Sequence, residues 1–345
     1  MAPTPSERSS PWQPVALAAL AALAVSGVAA RAQAPIDPHL DIPIGGGPID
    51  VGPVPAGLDA VDAASCGECH ARHYREWAGS AHHTASTNAL FLAELGPRRR
   101  AFCVDCHAPR RDASAGVDCA VCHVREGAVL NPSVSGRAPH ASRAAPELAG
   151  TLACARCHQF EFEGQPGELL QRTTDEWMAS AHRGTSCQGC HLPERGGHHR
   201  HDFPGGLDEA LLRDAIRVEA HATREGETTR LHLQLSADRA GHAVPTGDIF
   251  RRLEIRAWPA GQPARTVSTT LGRRFRVDRT GWHEREDRRV PPTGALSVEL
   301  ALEGAAGRVA YSVELWRTMP ERARRLGWSP RDVSRRLSAG VVRVE

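Results

Sequence analysis

The chain has 345 residues, with 42 basic against 40 acidic side chains, a formal charge of +2 at pH 7, and not one lysine, so every basic residue is arginine. Near-neutrality excludes a nucleic-acid binder, which needs concentrated positive charge to displace counterions, and the length suggests about two domains on a norm of ~100–200 residues each. With 32 Gly, 25 Pro and only 5% aromatic residues, part of the chain is short of ordinary core-forming side chains.

Val15 to Ala30 is an uninterrupted apolar or small-residue run, followed by two overlapping A-x-A sites, Ala30-Arg31-Ala32 and Ala32-Gln33-Ala34. This is the pattern of an export signal. Cleavage after Ala34 would leave Pro35 first, so residues 1–32 are expected to be the signal peptide. The run is shorter than the ~20 apolar residues a membrane span needs, and no other stretch qualifies. We therefore expect an exported protein, periplasmic or at the outer surface, with no integral membrane span after cleavage. Residues 33–64 are rich in Pro and Gly without helical or alternating period, and read as an extended tether or surface strap.

All ten cysteines follow, as five C-x-x-C pairs: Cys66/Cys69, Cys103/Cys106, Cys119/Cys122, Cys154/Cys157 and Cys187/Cys190. Each second cysteine is followed directly by a histidine: His70, His107, His123, His158 and His191. Paired C-x-x-C units also suit zinc, and an even cysteine count in an exported chain suits disulfides. Neither explains five histidines at one position in a chain where 18 of 345 residues are histidine. The pattern is that of c-type haem attachment, two thioether anchors and a proximal imidazole. Five haem c groups are thus expected between about residues 65 and 206, a density that makes the porphyrins themselves the core, wrapped by short helices and turns. The first such helix is expected to run on from His70 to a stop at Gly79.

An internal repeat lies in this segment: Glu76-Trp77-Ala78-Gly79-Ser80-Ala81-His82 recurs as Glu176-Trp177-Met178-Ala179-Ser180-Ala181-His182. Its Trp and His suggest an indole against one porphyrin and an imidazole reaching an iron, or else an ordinary helix with a core Trp. Because only Met178 and Met319 remain after signal removal, bis-histidine ligation is the expected rule, with low potentials. His82 and His182 from the repeat, His140 in a loop-like stretch, His201 after the fifth motif and His242 in a Gly- and Pro-bounded turn are the five candidate sixth ligands. His198 and His199 could stand in for His201, and His73 and His83 are reserves. Arg98–Arg100 and Arg110–Arg111 suit haem propionates or an acidic partner, or simply a solvated face.

From residue 207 to 345 the texture changes to period-two alternation, as in Leu231 to Leu235 and Leu253 to Trp258, with turn signals between. Helical stretches are expected at Pro320–Leu326 and Arg331–Leu337. The fold class is α + β in two domains: a mostly helical multihaem domain, then an antiparallel β-sandwich-like domain.

Cys66-x-x-Cys69-His70 followed by Trp77-x-x-Ser80-x-His82 resembles the multihaem cytochrome c family that includes the tetrahaem electron acceptor of hydroxylamine oxidoreductase. Gly116 to Gly127, Cys157 to Phe160 and Gly241 to Gly247 are similar to stretches of exported multihaem cytochromes that end in a β-domain. The resemblance implies electron transfer through stacked, mostly bis-His haems, with His82 and His182 at matching distal positions; five motifs rather than four is a departure. The main expectation is an electron carrier with redox partner proteins. One alternative is an enzyme with one open haem acting on a nitrogen or sulfur oxyanion or on hydroxylamine; another is a cell-surface cytochrome assembling through its β-domain. A lysine-ligated catalytic haem is excluded by composition.

Overall fold

The computed structural model describes residues 47–345, apart from 97–100, 113, 135, 137 and 305. The signal peptide, the first part of the tether and Arg98–Arg100 therefore lie outside the described residues. Residues 38 to 345 form one compact unit.

Each C-x-x-C-H motif ends a short helix: Ala63–Cys69 with His70 as its C-cap, Ala101–His107, Cys119–His123, Leu152–His158 and Cys187–His191. Helices this short are marginal alone, so their ends are fixed by side chains. Asp62 accepts from the Ser65 N–H and Asp118 from the Val121 N–H. Arg125 donates to the carbonyls of Ala120 and Val121, closing the other end of the third motif helix. Arg110 forms an ion pair with the almost fully buried Asp118, and Arg111 one with Asp105; these two arginines are structural links rather than a free basic face. The expected helix after the first motif spans Ala71–Ala78 and ends at Gly79.

The described part of the tether is a strap. Ile49 donates to Pro109 O at 2.8 Å, Ala56 O accepts from Ala141 at 2.8 Å, and Arg156 reaches Gly47 O at 2.7 Å. Gly57 has φ +92° and lies so close to Pro139 O that a Cβ there would sit 2.1 Å from it, so only glycine allows the strap to lie down. Val61 is buried against Ala120 and Val124 of the third motif.

The motif half is not only helices and turns. Val124–Arg125, Ala128–Asn131 and Ser142–Ala144 form a small sheet, and Gln159–Phe162 pairs antiparallel with Gln165–Arg172. This second ribbon grips the other half: Phe162 stacks on Trp282 (5.1 Å, 6°), Gln165 and Trp282 exchange two hydrogen bonds, and Arg273 donates to the carbonyls of Leu169 and Leu170 at 2.6 Å.

Beyond residue 207 two sheets face each other. One has the order Ala295–Glu303, Thr228–Ser236, Arg217–Glu225; the other has the order Ser334–Arg343, Arg308–Trp316, Arg252–Pro259, Val267–Leu271. Alternation puts Leu231, Leu233 and Leu235 of one sheet against Leu253, Ile255, Val309 and Val313 of the other in a single core. The alternating stretches Leu231 to Leu235 and Leu253 to Trp258 both fall in strands. The second helical stretch is corrected: only Pro330–Val333 is helical, and Ser334–Arg343 pairs with Arg308–Trp316, because an edge on a buried central strand outweighs local preference. Among the described residues no helix is long and apolar enough to cross a membrane.

Arg273, whose side chain is 3% exposed and paired with Glu284 at 2.8 Å, ties the ribbon to the hairpin Arg273–Asp287. Replacing it with methionine should cost about 1–3 kcal/mol by removing the donor to two carbonyls, since Glu284 keeps Arg172 at 3.1 Å, whereas the exposed Arg274→Met should change stability by no more than about 0.5 kcal/mol. Denaturant midpoints of the haem-loaded proteins measure both.

Candidate haem cavity

The five motif helices converge on one continuous, mostly apolar cavity of about 2300 Å³, and all fifteen Cys and His residues of the motifs line it. Ordinary small-molecule pockets hold about 300–1,000 Å³, so this space suits several large groups. None of the ten cysteines is in a disulfide, and motifs distant in sequence are brought together, with Cys66 beside Cys119, Cys106 beside Cys157, and Cys154 beside Cys187. The donor set is therefore present in the right chemistry: pairs of cysteines, each followed by an imidazole, around an apolar interior. The residues fit haem c.

The imidazoles are oriented by backbone. Nδ1 of His107 hydrogen bonds to Ala85 O (2.7 Å), that of His123 to Leu130 O (2.9 Å) and that of His191 to Pro204 O (2.6 Å), while His158 Nδ1 faces Gln171 (3.2 Å). In the first three, an Nδ1–H donated to a carbonyl leaves Nε2 for a metal. Two imidazoles on one metal, each bonded at about 2 Å, bring their ring centroids to about 6 Å. Among the described rings, three pairs near that spacing each join one motif histidine to one of the five candidate sixth ligands, and a fourth joins His70 to the reserve His73 at 5.9 Å. His158 faces His82, His123 faces His201, and His191 faces His242, every pair with centroids 6.3 Å apart. Their interplanar angles are 55°, 34° and 11° respectively. His201 and His242 also turn Nδ1 to backbone carbonyls, of His199 and Ala243. Burial lowers the pKa of His82 and His242 to about 4 and that of His158 to about 3, which keeps these rings in the neutral form that binds metal.

The other candidates sit elsewhere. His182 places its Nε2 on Asp238 O at 2.7 Å, so the repeat's second imidazole takes a different role from His82. His140 lines the cavity with Nδ1 beside Ser142 Oγ at 3.1 Å. Among the described rings, neither pairs with a motif histidine; His70 has His73 at 5.9 Å, edge-on at 70°, and His107 has no partner imidazole at 6 Å spacing. His107 instead has Phe91 stacked on it, 3.9 Å away and 10° from parallel. His73, held in reserve, packs edge-on against His201 (4.7 Å) and tilted against His198 (4.4 Å). His83 packs on Trp77 at 4.4 Å. The two repeat tryptophans line the cavity, but each spends its indole N–H on backbone: Trp77 on Val117 O, Trp177 on His182 O and Thr185 O. Sequence reasoning passed over Phe203, whose ring meets His82 at 4.3 Å, and the repeat glutamates. Their recurrence in both copies was the available signal for the glutamates.

No family model matches the sequence, and no curated protein sequence matches it. Among solved structures, the chain is similar to that of a penta-heme cytochrome c552 from Thermochromatium tepidum, with a TM-score of 0.65 and 19% sequence identity. The alignment covers 81% of this chain and 98% of that one. At such identity the likeness is one of fold, and it spans nearly the whole length of that cytochrome.

Proposed function

We propose that this protein is an exported electron carrier with five covalently bound c-type haems. The observation that carries the reading is the set of three imidazole pairs at 6.3 Å in a cavity lined by all five C-x-x-C-H motifs. The similarity in fold to a penta-heme cytochrome supports the same haem count here. Each cysteine pair would anchor one haem by thioether bonds, and the following histidine would be its proximal ligand. His82, His201 and His242 would complete the fourth, third and fifth motifs. When bound, haem supplies an iron that cycles between ferric and ferrous states at a potential set by ligands and burial.

The chain's own part is positional. Short helices hold the anchors side by side, backbone carbonyls aim the rings, and apolar walls exclude water from them. Bis-imidazole ligation, without a methionine ligand, would keep the potentials low. A signal peptide at residues 1–32 supports attachment outside the cytoplasm, in the periplasm or at the outer surface, with redox proteins as partners.

Intact-mass measurement of the purified protein should show five haems per chain and loss of residues 1–32. A smaller count would overturn the five-haem reading. Electron paramagnetic resonance gives a second test. His82→Ala, His201→Ala and His242→Ala should each convert one low-spin ferric haem to high spin, and His182→Ala should convert none. If the wild-type protein instead shows a high-spin signal at neutral pH that shifts with nitrite, hydroxylamine or sulfite, the chain is an enzyme rather than a carrier.

A further inference from the structure

The duplicated segment does more than contribute His82. In its first copy, Glu76 extends from the helix Ala71–Ala78 to the loop after the fifth motif. There Oε2 accepts from the backbone N–H of His201 at 2.8 Å, and both carboxylate oxygens lie 2.9 Å from His198 Nε2. In the second copy, Glu176 extends from the helix Thr173–Ala179 to the turn between strands Thr228–Ser236 and Arg252–Pro259. Its Oε2 accepts from Thr246 Oγ1 at 2.7 Å and from the N–H of Ala243, next to His242, at 3.3 Å; its Oε1 pairs with Arg289 at 2.6 Å. The histidines ending the two copies touch the same two loops. His82 packs on Phe203 of the first, and His182 lies against Gly241 of the second and hydrogen bonds to Asp238 O.

Both loops are irregular, with positive φ at Gly197, Phe203, Gly241 and Gly247, and each carries one of the imidazoles paired at 6.3 Å with a motif histidine. Each loop has a single isolated bridge, Glu194 to His199 and Val244 to Val290, and so little pairing holds a ring less closely than a metal site needs. A buried carboxylate adds the missing hold, because hydrogen bonds to an ionised acceptor are about twice as strong as neutral ones. Glu176 is well placed for this, its side chain 6% exposed beside an equally buried Arg289.

We propose that Glu76 and Glu176 are positioning residues for sixth ligands: Glu76 holds His201 toward the third motif, and Glu176 holds His242 toward the fifth. The duplicated unit is then a clamp in which each copy grips, at its acidic head and its histidine tail, a loop bearing the sixth ligand of a haem bound by another segment. This rests on the ligand pairs proposed above.

The test uses the full haem-loaded protein and the variants Glu76→Ala, Glu76→Gln, Glu176→Ala and Glu176→Gln, with His201→Ala and His242→Ala alongside. Glutamine keeps an acceptor oxygen and serves where alanine prevents folding. The readouts are the paramagnetic spin state and a potentiometric titration followed optically. The alanine variants should each move one haem from low to high spin, wholly or in part, and shift one midpoint potential. Millimolar free imidazole should restore the low-spin signal, and glutamine should retain most of it. Unchanged spin states and potentials in both alanine variants, with the two histidine variants each converting one haem, would overturn the clamp and leave the ligand pairs standing. If the histidine variants convert nothing, the pairs themselves fail.

Discussion

Two imidazoles on one metal have a separation that chemistry fixes, and in this chain the members of each pair come from segments far apart in sequence. His82 lies before the second motif and faces the fourth; His201 lies after the fifth and faces the third; His242 lies in the β half and faces the fifth. Much of the rest of the architecture brings those pairs into register. The motif helices supply one ring of each pair, aimed by a backbone carbonyl for His123 and His191 and by the Gln171 side chain for His158. The loops supply the other, and the ion pairs and ribbon contacts hold loops and helices in one unit.

On the proposed ligation, that requirement accounts for the way the halves interlock. An ordinary core tolerates small sliding between layers as long as apolar area stays covered, because the hydrophobic effect has no direction. A set of paired ligands does not. Directional contacts accordingly concentrate where the halves meet: Arg273 on two carbonyls, Gln165 and Trp282 exchanging hydrogen bonds, Arg172 with Glu284 and Asp287, and Arg289 between Glu176 and Asp287. The sandwich itself is packed by conventional alternation and provides the rigid frame from which the turn bearing His242 projects.

What could be read from the sequence was local. The C-x-x-C-H motifs announce themselves within five residues, and period-two alternation marks strands of an ordinary core such as those holding Leu231 to Leu235 and Leu253 to Trp258. The ribbon Gln159–Arg172 escaped notice because its strands are short, bulged and polar, and Ser334–Arg343 because its start, Ser334-Arg335-Arg336-Leu337, is polar without alternation and becomes a strand by pairing with Arg308–Trp316. The two copies of the repeat show the limit most plainly. Near-identical residues put His82 at 6.3 Å from a motif histidine and His182 on a backbone carbonyl; the difference comes from what folds around each copy. Likewise three imidazoles compete in residues 198–201, and the contacts that separate them involve Glu76, more than a hundred residues earlier.

The position of His242 has a consequence for biogenesis. The chain leaves the ribosome, and would cross a membrane, amino terminus first, so all five attachment motifs emerge before the strands that frame residue 242. On the proposed ligation, haem at the fifth motif could be joined to its cysteines while its second axial position waits for the carboxy-terminal half to fold. Completion of that site would then report that the entire polypeptide has arrived and closed, and truncated products would be marked by an unfinished iron.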